Sequence, residues 1–420
     1  MRLCIVDYFI INFIKMGKME EKKVKLVEQF MNLMEFAIGR GEVNCSYADC
    51  DWKSLIRLSK RNKCSLLFNN AVNKNPGLFN IEEELLEEWN NYSRMEFVNA
   101  YNAYTEFCRV MGSLNENGVR AVVLKGYVLA ALYPDIFHRY SSDLDIKLEA
   151  KDREKVHELL VEKLGFTWNE ADSKENVYIY YNEKLAIEAH FTLWEDYHGS
   201  NIELLKAEEL DRTDSLMQVD ITENLKVWTL GITEHLILQL FHIIKHYIVE
   251  GVESRYFYDI SLYVNKYIDS IDFERLFGLF GKMGFGDFCR IYFTECIKRF
   301  GMEERALAGR GCLMPEDENA FLYDIIFLGK EDFNDNADYS LLGILSPYVN
   351  GNAETKENKC GRMISALFPS AERIDDKYSY CKNYHFLLPF AWVHRACRTI
   401  YFKLTRGDRV YGEIGSPNTG

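Results

Sequence analysis

Residues 143–149 read Asp-Leu-Asp-Ile-Lys-Leu-Glu, and the rest of the predicted fold is arranged around them. Polar and apolar residues alternate here, which is the period of a β-strand with one buried face. Because side chains two positions apart share a face, we expect Asp143 and Asp145 to project together, opposite Leu144. With 64 acidic residues among 420, pairs at this spacing arise by chance roughly ten times. The surroundings of the pair therefore decide whether it has a function.

A second acidic strand is predicted further along the chain. Residues 185–191 read Leu-Ala-Ile-Glu-Ala-His-Phe, so Glu188 and His190 share one face of a strand whose other face is apolar. Residues 177–181 form another candidate strand, joined to this one by a short turn typical of a hairpin. Carboxylates on neighbouring strands repel each other unless a cation lies between them, and oxygen ligands favour hard ions such as Mg²⁺ or Mn²⁺.

The stretch before the acidic pair adds a candidate phosphate site. Residues 121–124 are a short apolar run suited to a buried strand, and Lys125 and Gly126 follow directly. Turns between a strand and a helix present backbone N–H groups to phosphate oxygens. The acidic pair, the second acid and this turn together favour a functional site over a solvated acidic surface.

The rest of the chain has the spacing of amphipathic helices. Apolar residues recur every three or four positions after residue 20, Asp51 occupies an N-cap position, and residues 81–111 contain neither proline nor glycine. We therefore expect an α+β fold in which a small mixed sheet lies between helical N-terminal and C-terminal parts, with helix predominating overall. The expected regions are a helical N-terminal region 20–116, an α+β core 117–225, a helical domain 226–335, and a loop with a C-terminal helical segment 336–420.

Composition and cysteine usage restrict the class of protein. The chain has 50 Lys and Arg against 64 Asp and Glu, so nucleic acid is not expected as a bulk partner, because phosphate binding depends on basic residues. The 11 cysteines include no Cys-x-x-Cys pair, which favours reduced thiols and a cytoplasmic location. The apolar N-terminus is interrupted by Asp7 and Asn12, so we expect neither a signal peptide nor a membrane span; Met16 and Met19 are alternative start positions.

Several short motifs together resemble a known protein family. They are Val123-Leu124-Lys125-Gly126, Leu132-Tyr133-Pro134, Arg139, Ser142-Asp143-Leu144-Asp145-Ile146 and Glu188-x-His190. This set is similar to the bacterial family of uncharacterised nucleotidyltransferases, within the polymerase-β-like nucleotidyltransferase superfamily. The likeness extends to His242-x-x-Lys245-His246, Arg255, Asp259 and Leu367-Phe368-Pro369-Ser370. Two features depart from the superfamily pattern, because Tyr127 follows the turn glycine where serine is common, and the segment 126–143 is longer than usual.

The resemblance implies transfer of a nucleoside monophosphate from an NTP to a hydroxyl acceptor, dependent on Mg²⁺ or Mn²⁺. It assigns Asp143 and Asp145 to two bridged metal ions, and Glu188 to ligating the second ion or accepting the proton of the acceptor. The nucleotide-binding residues that it implies are Lys125, Gly126, Arg139 and Ser142. Solvent exposure for Lys125 and an ordinary ion pair for Arg139 remain open as alternatives. The acceptor is not identified by the sequence.

The histidines near these motifs have two interpretations each. His190 either orients a carboxylate or a metal-bound water, or is a half-buried histidine with its hydrogen bonds satisfied. A second group, His242, Lys245 and His246, has the i, i+3, i+4 spacing of one helix face. This group could meet Asp259 on the next helix, and it serves either in hydrogen bonds between helices or as a substrate contact.

Two competing functions are compatible with the same residues. A non-catalytic nucleotide- or metal-binding module would keep the fold and lose turnover, with Tyr127 and the long segment 126–143 as the altered features. A metal-dependent phosphodiesterase would need more histidine ligands than this set of carboxylates supplies. Release of pyrophosphate from an NTP separates the enzyme from the binding module.

Overall fold

A mixed β-sheet organises the middle of the chain. The computed structural model describes residues 21–43, 46–141, 143–194, 202–249 and 252–314. The seven strands within these ranges are β1 Val122–Val123, β2 Asp143–Lys147, β3 Thr167–Trp168, β4 Val177–Tyr181, β5 Ala186–His190, β6 Met217–Thr222 and β7 Leu225–Thr229. Across the sheet they follow the order β3-β4-β5-β2-β1-β7-β6. The two predicted acidic strands, β2 and β5, are therefore direct neighbours in the interior of the sheet.

The strands run in mixed directions. β2 is parallel to β5 and antiparallel to β1, while β1 is parallel to β7. β4 and β5 form the antiparallel hairpin that the sequence predicted. β6 and β7 form a second hairpin, which was not predicted. The parallel pairing of β2 with β5 places Asp145 directly opposite Glu188.

Helix is the commonest regular structure in the described ranges, which confirms the predicted α+β class with helix predominating. The α-helices there are α1 Glu21–Ala37, α2 Trp52–Arg61, α3 Ser65–Lys74, α4 Glu83–Glu116, α5 Tyr127–Ala130, α6 Arg153–Glu158, α7 Ile202–Ala207, α8 Ile232–Val249, α9 Arg255–Tyr267, α10 Phe273–Lys282 and α11 Gly286–Phe300. As predicted, Asp51 caps α2, where its side chain accepts a hydrogen bond from the Ser54 backbone N–H. None of the helices in these ranges has the length and apolar character that crossing a membrane requires.

The core beside the sheet is formed by alternate strand residues and by α4. Its members include Leu144 and Ile146 of β2, Ile187 and Ala189 of β5, and Phe107, Val110 and Met111 of α4. The ring of Phe107 stacks on that of Tyr127, with the two centroids 4.0 Å apart. Because every second residue of β2 and β5 enters this core, the polar residues between them lie on the opposite face of the sheet.

Some of the predicted organisation lies outside the described residues. The region 336–420, with its motif Leu367-Phe368-Pro369-Ser370, is one such part, and the end of the region 226–335 is another. Ser142 and the side chain of Lys245 also fall outside. The roles assigned to these residues therefore stay predictions.

Buried hydrogen bonds fix the end of β1. The carbonyl oxygen of Leu124 accepts hydrogen bonds from His235 Nε2 and from Gln239 Nε2, each at 2.8 Å, and both donors belong to α8. The hydroxyl of Thr229 donates to the carbonyl oxygen of Val123 at 2.7 Å. His235 is fully buried, and this burial lowers its pKa to about 4. A neutral imidazole on α8 therefore holds the backbone where β1 ends.

The buried imidazole of His235 predicts a pH-dependent stability. Its pKa in the folded chain lies below the ordinary value of 6.5, so the stability that depends on the neutral form is present above pH 6.5 and is lost as the pH falls towards 4. We expect the free energy of unfolding, measured by urea denaturation, to fall by up to about 3 kcal/mol over that interval. The His235→Gln variant keeps a donor for Leu124 and should lack this part of the pH dependence. The same pH dependence in both proteins would contradict the assignment.

Candidate functional site

The two acidic strands present one polar face. Asp145 on β2 lies opposite Glu188 on β5, and Lys147 lies opposite His190. Since residues in register on parallel neighbours point to the same side, these side chains share the face away from the core. Asp145 is only 6% exposed, whereas the side chain of Glu188 is 42% exposed. The site therefore extends from the interior at Asp145 towards solvent at Glu188.

His190 lies between the two carboxylates. Its Nε2 atom is 3.6 Å from Asp145 Oδ1 and 3.5 Å from Glu188 Oε2. Both distances exceed those of an ordinary hydrogen bond, and Nε2 is shielded from solvent with no hydrogen-bond partner. Within the described ranges, Asp145, Glu188 and His190 form the one group of three side chains that could hold a metal ion, since their ligand atoms all lie within 4.8 Å of one another.

Lys125 contacts the other oxygen of the buried carboxylate. Its Nζ atom lies 3.2 Å from Asp145 Oδ2. Gly126 then turns the chain with φ 65° and ψ −102°, a conformation that residues with a Cβ rarely adopt. A Cβ at this position would also lie 3.2 Å from Ser141 Oγ. The glycine turn therefore lies close to Ser141 and directly follows the lysine that contacts Asp145.

Opposite charges stabilise the ionised forms of these side chains. Burial raises the pKa of Asp145, but Lys125 and His190 lower it by more, so the pKa lies well below its ordinary value. Burial lowers the pKa of His190, but Asp145 and Glu188 raise it by more, to about 9. Burial also lowers the pKa of Lys125, and again the neighbouring Asp145 and Asp143 raise it by more. Two cationic side chains therefore balance the carboxylates of the polar face.

Asp143 lies at the edge of the site. It shares the strand face of Asp145, and its Oδ1 atom accepts a hydrogen bond from Ser141 Oγ at 3.4 Å. The structure thus groups Asp145 and Glu188 with His190, and places Asp143 beside Ser141. Ser141 was not among the predicted site residues, and its one sequence signal is its place just before the Asp-x-Asp motif.

Arg139 forms a buried ion pair with Asp259 of α9. Its Nε and Nη2 atoms donate to Asp259 Oδ1 and Oδ2, each at 2.9 Å, and Tyr133 also donates to Oδ1 at 2.8 Å. Arg139 and Asp259 are 4% and 2% exposed. The guanidinium group therefore forms a buried ion pair through two of its nitrogen atoms, the alternative that the sequence left open, and its role at phosphate stays a prediction. Arg255 binds the same segment, because its Nη1 atom donates to the carbonyl oxygen of Tyr140.

The histidines of the predicted helical cluster lie side by side on α8. The ring centroids of His242 and His246 are 4.1 Å apart, and that of His242 is 6.1 Å from the ring of Tyr256 on α9. Asp259, which was expected to meet this cluster, is the buried partner of Arg139 described above. Tyr256 was not predicted, because nothing in its local sequence distinguishes it from the other aromatic residues of the helices.

A mixed sheet with carboxylates on two neighbouring strands, beside a glycine turn preceded by a lysine, is the arrangement that the resemblance to the nucleotidyltransferases implies. Residues 48–301 match the model of a family described as uncharacterised nucleotidyltransferase, and the chain belongs to this family. The match covers more than half of the chain and confirms the family predicted from the motifs. Comparison with curated proteins gave no match, and comparison with solved structures gave none either.

The buried ion pair predicts a large difference between two matched substitutions. Asp259→Asn removes the charge that compensates Arg139 in the interior, so we expect the free energy of unfolding to fall by about 3–5 kcal/mol. Asp269→Asn is the control, because Asp269 pairs with Arg305 at the exposed surface and should change stability little. Urea denaturation of the two variants tests this. Equal losses would show that the Arg139–Asp259 pair does not carry the stability assigned to it.

Proposed function

We propose that this protein is a nucleotidyltransferase that depends on a divalent metal ion, Mg²⁺ or Mn²⁺, and transfers a nucleoside monophosphate from an NTP to a hydroxyl acceptor. The observation that carries the proposal is the register of β2 and β5, which sets Asp145 opposite Glu188 next to Lys125. Membership of a nucleotidyltransferase family supports the reaction class. The metal, the NTP and the hydroxyl acceptor are our assignment.

The residues of the polar face fit a divalent ion. Asp145 and Glu188 supply oxygen atoms, and His190, which faces both as a cation in the metal-free site, adds a nitrogen atom when an ion displaces its proton. Asp143 adds another carboxylate on the same strand face. We assign it to binding the metal ion that the nucleotide carries. A bound divalent ion would polarise the phosphate that is attacked and favour ionisation of the acceptor hydroxyl.

Lys125 and the turn after it are suited to bind the triphosphate. The ammonium group of Lys125 remains charged in the site, as its raised pKa requires, and provides the nearest described positive charge on the β1 side of Asp145. We assign the backbone N–H of Gly126 to a hydrogen bond with a phosphate oxygen. Ser142 is assigned to nucleotide binding as well, because it directly precedes Asp143 in the sequence. We assign Arg139 an indirect role, because its ion pair with Asp259 fixes the chain segment before Asp143.

In the reaction that we propose, the acceptor oxygen forms a bond to the α-phosphorus of the NTP. The bond between that phosphorus and the oxygen bridging to the β-phosphorus breaks, and pyrophosphate leaves with the electron pair. The proton of the acceptor passes to the carboxylate of Glu188 and from there to solvent. Glu188 is suited to this role because its side chain is the more exposed of the two opposed acids.

The first test of the function is release of pyrophosphate. With Mg²⁺ or Mn²⁺ and a panel of NTPs and hydroxyl compounds, the wild-type protein should release pyrophosphate from at least one combination. Removing a side chain that only hydrogen-bonds to a metal ligand typically costs roughly 10–100-fold in activity. Asp145 is itself the proposed ligand, so Asp145→Asn should reduce the rate by more than that. Asp220→Asn serves as the matched control, since Asp220 is exposed on β6. If Asp145→Asn retains the wild-type rate, the site is elsewhere.

Glu188→Gln separates binding from the proton transfer. We expect the rate constant kcat to fall roughly 10²–10⁴-fold, because the amide cannot accept the proton, while the Kd of the nucleotide changes much less. Single-turnover kinetics and nucleotide titration measure the two quantities. Glu183→Gln, in the turn of the same hairpin, is the matched control. Comparable losses in kcat and in nucleotide affinity would argue against Glu188 as the base.

A binding module without turnover is the second candidate, and the environment of Tyr127 favours it. The ring of Tyr127 is buried against Phe107, and its hydroxyl donates to the carbonyl oxygen of Ser141 at 3.2 Å. This hydroxyl is therefore engaged with the protein backbone, where many members of the superfamily place a serine. Nucleotide binding without release of pyrophosphate, for every NTP and acceptor tried, would favour this candidate.

A further inference from the structure

We infer that the protein forms a symmetric dimer through the exposed face of α4, in which the helices of two copies pack antiparallel and cross at Val98. The partner that this surface fits is therefore a second copy of the same chain. The surface lies outside the acidic site, and the inference does not depend on the proposed function.

Large apolar side chains are exposed together on the middle of α4. Met95, Val98 and Tyr101 are 66%, 52% and 53% exposed, and they follow one another at a spacing of three residues. Residues three apart are neighbours on a helix surface, so these side chains form one stripe. Phe97, 42% exposed, borders the stripe. Four of the seven large apolar side chains that are exposed within the described ranges therefore lie within about two turns of one helix.

The sequence around the stripe is typical of a contact surface. Residues 97–105 contain no charged side chain, although 27% of the chain is charged. Glu96, between Met95 and Phe97, lies on the half-buried side of the helix, where burial raises its pKa. An exposed apolar stripe that lacks charge indicates contact with another protein surface.

Phe137 supports the stripe from the segment that precedes β2. The centroid of its ring lies 5.1 Å from that of Phe97 and 5.9 Å from that of Tyr101. These contacts hold the two exposed rings against the protein. Because the rings are already placed, a partner that binds them loses less side-chain entropy.

The order of residues along α4 is complementary to itself when one copy is reversed. Fifteen residues of α4 precede Val98 and eighteen follow it, so the stripe lies near the middle of the helix. In an antiparallel pair that crosses at Val98, residues at equal distances before and after it face each other across the two-fold axis. Met95 then meets Tyr101 of the second copy, and Val98 meets its own counterpart.

Opposite charges stand at equal distances from the same centre. Glu87, eleven positions before Val98, is exposed, and Arg109, eleven positions after it, has a side chain that is 44% exposed. Arg109 binds Glu106, which is buried, so the guanidinium group is the charge at the surface. Antiparallel pairing brings Glu87 of each copy to Arg109 of the other and opposes the two helix dipoles. Parallel pairing would instead bring like charges together.

The size of the contact sets its expected strength. At 1.5 Å per residue, α4 spans about 33 Å between Glu87 and Arg109, and a helix is about 10 Å wide. Such a contact is smaller than the roughly 800 Å² per partner of a standard interface. We therefore expect a Kd on the order of micromolar.

The test is sedimentation velocity of the full-length protein between about 1 and 200 µM. The wild type should pass from monomer to dimer in this range. Val98→Glu sets two carboxylates against each other at the axis and should raise the Kd at least about 100-fold. Leu78→Glu is the matched control, because Leu78 is 50% exposed and lies outside α4, so the Kd should not change. Circular dichroism checks that both variants are folded.

Disulfide cross-linking tests the antiparallel orientation. With copper phenanthroline as oxidant, a mixture of Met95→Cys and Tyr101→Cys should give more linked dimer than either variant alone, because only the mixture sets the two cysteines opposite each other. The wild type gives the background from the native cysteines. Met95→Cys that links to itself as efficiently as the mixture would indicate parallel helices and overturn the arrangement.

Two results of sedimentation overturn the inference as a whole. The first is a wild type that remains monomeric over the whole range, even if the stripe binds a different protein. The second is a dimer that Val98→Glu leaves intact, because the contact would then lie elsewhere. Release of pyrophosphate is measured separately, so its failure leaves the dimer standing, and failure of the dimer leaves the enzyme standing.

Discussion

The parallel pairing of β2 with β5 is the constraint on which the site depends. In this register two acids, Asp145 and Glu188, stand on neighbouring strands about 4.8 Å apart and point to the same side. Carboxylates this close, one of them buried, raise each other's pKa unless positive charge lies next to them. Lys125 and His190 provide that charge on two sides of Asp145. The alternation of apolar residues along both strands then fixes the acids on the face away from the core.

The long segment between Gly126 and Asp143 is held at both of its ends. At the start, His235 and Gln239 of α8 bind the carbonyl oxygen of Leu124, just before the glycine turn. At the far end, α9 binds the segment through the Arg139–Asp259 pair and through Arg255 at Tyr140. This segment, although long, is therefore anchored to α8 and α9 at its two ends. The helical part after the sheet contributes to the site by positioning this segment.

The elements that were predicted from the sequence are those with strong local patterns. β2 and β5 alternate strictly, so the faces of Asp145, Glu188 and His190 followed from a period of two. β6, Met217–Thr222, has the same alternation, but it contains too few apolar residues for the pattern to be recognised in the sequence. β3 is too short to show a period. The partner of Arg139 was not predictable, because Asp259 lies 120 positions away in the sequence and only the packing of α9 brings the two together.

The strand order gives the site a direction. Glu188, Asp145 and Lys125 belong to β5, β2 and the end of β1, which are successive in the sheet, so the three side chains follow one another in this order across it. In the reaction that we propose, pyrophosphate would carry away negative charge and would be best stabilised at the Lys125 end. The acceptor would lose a proton and would be best placed at the Glu188 end, where solvent can remove that proton. An α-phosphorus above Asp145 would then have its incoming and outgoing oxygens on opposite sides, as in-line displacement requires.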